Sequence, residues 1–167
     1  MIPMTEPPLL FALLIASALV HGLLAGASLD QSIEQLPARH QIGVRAYRAY
    51  SNASHMANGR FWLIPLGIVG PVVAVAAAIW SLALGLLSSQ SLPIALAGSL
   101  GVAHLLSTAV AARINWRIAP WSRDVPADDV ALARTFDRFE RAQAIRAALQ
   151  LLTFAAALWA VIANRIA

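Results

Sequence analysis

From Phe61 to Ala112 the chain carries no Asp, Glu, Lys or Arg. A soluble domain cannot keep so long an uncharged, apolar run away from water. A bilayer's hydrocarbon core, about 30 Å thick, takes about 20 such residues per helix. The run is too long for one span and long enough for two. Serines and Pro93 in SSQSLP, 88–93, have the chemistry of a turn, so the pattern predicts helices over 61–87 and 92–114 that run antiparallel.

Two further segments complete the set. Residues 7–29, PPLLFALLIASALVHGLLAGASL, hold no formal charge and as a helix would reach roughly 34 Å, enough to cross. Only Glu6 precedes them where a secretory leader would be basic, so a retained helix opened by Pro7 and Pro8 is expected, spanning 8–29. Arg146 and Arg165 bound eighteen uncharged residues; both arginines can extend to the interface, which predicts a span over 146–164. The expectation is an all-α, four-transmembrane-helix bundle forming one domain, with partly helical connections.

Composition agrees. Hydrophobic residues make up 59% and charged residues 12% of the chain, against about a quarter charged in soluble domains. Cysteine is absent, which excludes disulfides and thiolate chemistry. All basic residues are arginines. They cluster beside the apolar segments, so they read as topology signals and not as a nucleic-acid surface.

Residues 30–60 contain Arg39, Arg45, Arg48 and Arg60, and residues 113–146 contain seven arginines, whereas SSQSLP has none. The positive-inside rule places both basic connections in the cytoplasm and both termini outside a plasma or bacterial inner membrane. In DDVALARTFDRFERAQAIRAAL, acidic residues open the segment and Asp137 precedes Arg141 by four, which predicts an interfacial helix leading into the last span.

Polar residues inside the spans carry the chemical questions. Ala97, Gly101, His104, Thr108, Ala111 and Asn115 share one side of the third helix, and Ser17, His21, Ala25 and Ser28 share one side of the first. With entry near Leu9 and Leu92, each histidine lies about 18 Å along a helix running in the same direction, so His21 and His104 are expected at one depth. Two imidazoles at one level can form structural hydrogen bonds, move a proton or bind a polar substrate, or ligate copper or a haem. His40 or His55 would add a metal ligand only if the first basic connection folded back into the bundle. That connection also holds Tyr47, Tyr50, Asn52 and Asn58, which suit either the mouth of a pocket or a wet surface with tyrosines at headgroup level.

Asn115, Trp116, Arg117 and Trp121 lie where the third helix leaves the membrane, a place for anchoring or substrate capture. Trp62 and Trp80 read as interface anchors or lipid-facing packing residues, and Gly67, Gly70 and Pro71 as a point of close approach or bending. Arg138, Arg141 and Arg146 are placed to meet an anionic group or simply to face headgroups.

LPAR at 36–39, TAVAARINWRIAPW at 108–121 and FDRFERAQAIRAAL at 136–149, in that order after the small-residue end of the first span, resemble the DUF1772 family of small four-helix membrane proteins, which has anthrone-oxygenase-like members. The resemblance implies a pocket within the bundle and an oxygenase acting on an electron-rich polycyclic phenol or anthrone. It implies Thr108, Asn115, Trp121, Arg138 and Arg146 as substrate-binding positions. The chain departs from the family's pattern at Phe136, at Gln143 and beside Arg146.

On that reading His104 is the base, His21 orients it, and Asn115 and Arg117 bind developing charge, with no cofactor required. A haem- or copper-binding redox protein using His21 and His104, and a non-enzymatic scaffold, are the alternatives. The expected partners are the lipid bilayer, an apolar aromatic small molecule and, for a transport role, a second copy of the chain.

Overall fold

The computed structural model describes residues 8–86, 88–123, 125–126 and 128–166. Among them there is no strand. Four long helices, α1 (Pro8–Asp30), α4 (Arg60–Ala83), α5 (Ser88–Ile118) and α6 (Asp129–Ile166), pack as an antiparallel bundle, with short helices α2 (Leu36–Ile42) and α3 (Val44–Ser51) at one end. All four are long and apolar enough to cross a membrane. Around the bundle the order is α1, α4, α5, α6 and back to α1, and the α1–α4 contact is the least extensive of the four.

The first basic connection is helical almost throughout. A π-helical turn, Gln31–Gln35, joins α1 to α2, and a second, Asn52–Gly59, joins α3 to α4. The path bends only at Gly43, whose φ of 88° and ψ of 152° lie in a region open essentially to glycine.

The α4–α5 turn falls at Leu84–Leu86 and not at SSQSLP. Gly85 takes φ 63°, and the amides of Gly85 and Leu86 donate to Leu82 O at 3.1 Å and Ser81 O at 3.4 Å. This paired arrangement closes a helix when glycine supplies the left-handed position. The serines and Pro93 instead occupy the opening turns of α5. Pro93 stays inside the helix, and its ring is buried.

At the basic end, α6 begins with Asp128 capping the amide of Ala131 at 2.7 Å. Arg48 Nε donates to Ile118 O at 2.9 Å, a cation on the carbonyls that end α5. Leu36, Tyr47, Ala111, Ile118, Leu132, Phe136 and Phe139 form the core beneath. Tyr47 is therefore a core residue, 1% exposed, and not a headgroup anchor. Arg39 is buried too, donating to Leu36 O at 2.9 Å and pairing with Asp137 at 2.7 Å and Glu140 at 2.5 Å. Asp137 thus turns to α2, and the Arg141 side chain is left donating to the Asp137 backbone carbonyl at 3.3 Å.

Midway along the bundle, Ala18, Ala97, Ala156 and Ala157 make a layer of small side chains. Small residues let helices approach closely, which is how spans associate where lipid is as apolar as leucine. Beyond it lies an aliphatic core of Leu10, Leu14, Ala77, Ile94 and Ala160.

Candidate functional site: a polar chamber inside the bundle

Three polar stripes converge on the basic side of the alanine layer. On α1, Ser17, His21, Ala25 and Ser28 are all buried. On α5, Ala97, Gly101, His104 and Ala111 are buried, with Thr108 and Asn115 half-buried. A third stripe, Gln143, Arg146, Gln150 and Thr153 on α6, adds Gln150 and Thr153 to the polar residues expected from the sequence. Its signal was present, since 143, 146, 150 and 153 recur at helical spacing.

The two histidines meet. Their rings stand edge to face with centroids 5.9 Å apart, and both are 0% exposed. Gly70 on α4 allows this packing: a Cβ there would lie 3.0 Å from Val20 Cγ1 and 3.2 Å from His21 Cε1. The rings are oriented by other residues and not by each other. His21 Nδ1 lies 2.9 Å from Ser17 O, an acceptor only, so Nδ1 holds the proton and neutral His21 presents a bare Nε2. His104 Nε2 lies 2.8 Å from the side-chain amide nitrogen of Gln150. That amide serves either tautomer by turning over, because it offers a donor or an acceptor to the same ring atom.

His104 stands at the inner end of a chamber of about 120 Å³. Thr108, Gln150 and Arg146 continue its wall, and Gln31, Gln35 and His55 enter it from the two π-helical turns. Such widened turns re-aim side chains and recur at functional sites. Gln35 bridges two neighbours, donating to Asp30 and accepting from His55 Nε2 at 2.6 Å. Arg146 Nη2 donates to Gln31 Oε1 at 3.3 Å, and Gln143 Nε2 to Ser28 O at 3.4 Å.

Several buried atoms on this wall make no hydrogen bond among the described residues: His104 Nδ1, Thr108 Oγ1, Gln150 Oε1 and Arg146 Nε. Buried polar groups are paired in the great majority of cases, so their convergence on one cavity marks it as a place for a polar ligand or water. Arg146 has no carboxylate within ion-pair distance among the described residues.

Of the residues singled out from the sequence, His104, Thr108, Arg146 and His55 line the chamber, and His21 packs behind it. Asn115 lies outside it, its amide 3.2 Å from Met56 Sδ. Arg117, Arg138 and His40 are exposed. Trp121 is exposed as well and stacks under the Arg60 guanidinium, 5.4 Å from the ring centroid. Among the described residues no three His, Asp or Glu side chains converge as a metal-binding set.

No protein-family model, curated protein or solved structure matches the chain.

Proposed function

We propose that this bundle is a membrane-embedded enzyme that takes a proton from a weakly acidic group of an apolar molecule and lets the resulting anion react with dioxygen. What carries the reading is the placement of a buried imidazole, His104, against a chamber that also holds one cation, Arg146, without an acidic partner.

The parts suit the task. With the oxygen of the Gln150 amide on a protonated Nε2, His104 Nδ1 is bare and faces the ligand as base. Arg146 and Thr108 supply donors to the oxygen on which charge develops, in surroundings where such interactions are strong. An activated CH2 that becomes C=O gives up four electrons. One dioxygen accepts four and leaves its second oxygen as water, so the stoichiometry calls for no separate reductant. The order of LPAR, the exit of the third span and FDRFERAQAIRAAL supports an anthrone-like substrate by resemblance alone. The arginine distribution supports cytoplasmic placement of the basic end.

Size restrains the substrate. Pockets that enclose drug-sized ligands run to about 300–1,000 Å³. A chamber of about 120 Å³ takes the reacting part of a polycyclic molecule and leaves the rest outside.

Oxygen uptake in lipid nanodiscs with an anthrone as substrate tests the proposal. His104→Ala should reduce turnover at least 100-fold, the usual size of a general-base contribution. Undiminished turnover by that variant, or no uptake by the unaltered protein, would sink the reading.

A further inference from the structure

We infer that the chamber is loaded sideways, from the bilayer, by an amphiphile with a single anionic head, a carboxylate or phenolate, on an apolar body that stays between α1 and α4. This names the substrate class and entry route of the site described above and rests on that reading for its catalytic meaning.

The chamber is lined on one side by residues of α1 and α4. Leu24 and Ala27 line it on α1, and Leu63 and Gly67 on α4, across the least extensive helix contact of the bundle. Gly67 is buried, yet a Cβ added to it meets nothing within 4 Å, so open space lies beside its backbone. Ala27 is exposed, and Leu23, Ile64 and Ile68 flank the seam with more than half of their surface uncovered. Leu63 and Gly67 lie three and seven residues beyond Arg60, roughly 5 and 10 Å into α4, which is acyl-chain depth for a body held there.

The head is specified by charge and size. Arg146 is the cation of the chamber, its Nε is unpartnered, and Thr108 and Gln150 stand on the same wall. Arg146 is half-buried and makes no ion pair among the described residues, and one anion compensates one guanidinium. Asp30 also borders the chamber but takes a donor from Gln35. A chamber of about 120 Å³ suits a small head such as a carboxylate or a phenolate edge.

The probe is a fluorescent polyene fatty acid and its methyl ester, titrated into zwitterionic nanodiscs with and without the protein. Saturable binding of one acid per chain is expected, at least tenfold tighter than the ester. Gly67→Leu should weaken the acid at least tenfold with the thermal unfolding midpoint unchanged. Arg146→Gln should erase the preference for acid over ester, and Arg146→Lys should keep it.

Equal binding of acid and ester by the unaltered protein would overturn the anionic head. Undiminished acid binding by Gly67→Leu, or displacement of the acid by millimolar benzoate as effective as by a long-chain acid, would overturn the lateral route. These readouts are separate from turnover. Binding as described with no oxygen uptake defeats only the oxygenase reading. Turnover of a neutral anthrone without any acid preference defeats only this one.

Discussion

His104 on α5 and Gln150 on α6 meet at 2.8 Å with both side chains buried in the bundle. The contact joins two helices and also sets which nitrogen of His104 is free. Interhelical hydrogen bonds between spans average about 0.6 kcal/mol and reach about 1.7 kcal/mol. This one belongs near the upper figure, because His104 Nδ1 has no protein partner to compensate for its loss.

Gln150→Leu should therefore destabilise the bundle by about 1–2 kcal/mol, measured by denaturant unfolding in mild detergent. His104→Ala combined with Gln150→Leu should cost less than the two changes added together, since the second removes a partner already lost. Strict additivity would mean that the contact carries no coupling.

Arg39 anchors the basic end. It is buried, while the side chains of Asp137 and Glu140 keep 49% and 32% of their exposure. Arg39→Ala should cost about 3 kcal/mol, the lower end for breaking a buried pair, because both carboxylates can turn back to water. Arg141→Ala, whose side chain makes only a 3.3 Å backbone contact, should change stability by under about 0.5 kcal/mol. The same unfolding assay ranks the two, and the reverse order would refute the assignment of Asp137 to Arg39.

How far the sequence carries the structure is visible at particular residues. The absence of charge from 61 to 112 is enough for spans, and the helical spacings around His21 and His104 are enough to set the two residues at one depth, while their ring contact is seen only in the structure. The turn falls before SSQSLP because serines and proline favour both loops and helix starts, and only the backbone geometry at Gly85 separates the two. Arg39 and Asp137 lie 98 positions apart. Nothing local marks such a pair, whereas the i,i+4 pairing of Asp137 with Arg141 is locally plausible and loses to it. The π-helical turns that aim Gln31, Gln35 and His55 have no composition signal. Gln150 is legible at helical spacing from Arg146 and Gln143, but a lone amide in an uncharged segment carries no local sign of its partner His104.

Gly43 closes α2 in a region that other residues reach only with strain, and its neighbourhood is open, with nothing within 4 Å of an added Cβ. Gly43→Ala should cost about 1–3 kcal/mol through backbone strain alone. Gly26→Ala, also facing open space but at a helical position inside α1, should gain up to about 1 kcal/mol. Thermal unfolding of the two variants compares backbone conformation directly, since neither substitution meets a neighbour. A stabilised Gly43→Ala would show that the positive φ is not held in solution.

Metal content separates the proton-transfer reading from the redox one. His21 Nδ1 is committed to Ser17 O and His104 Nε2 to Gln150, leaving one nitrogen on each ring. Zinc and non-haem iron sites ordinarily use three or four protein ligands, and His55, which lines the same chamber, spends Nε2 on Gln35. Haem ligation would further need room for a macrocycle beside rings whose centroids are 5.9 Å apart. Protein purified in mild detergent without added metal or chelator should contain far less than one copper, iron or haem per chain by elemental analysis and visible absorption. About one per chain, lost in both His21→Ala and His104→Ala, would replace base chemistry by a two-histidine redox centre. The same stoichiometry surviving both substitutions would place the metal elsewhere and leave the chamber to its proposed ligand.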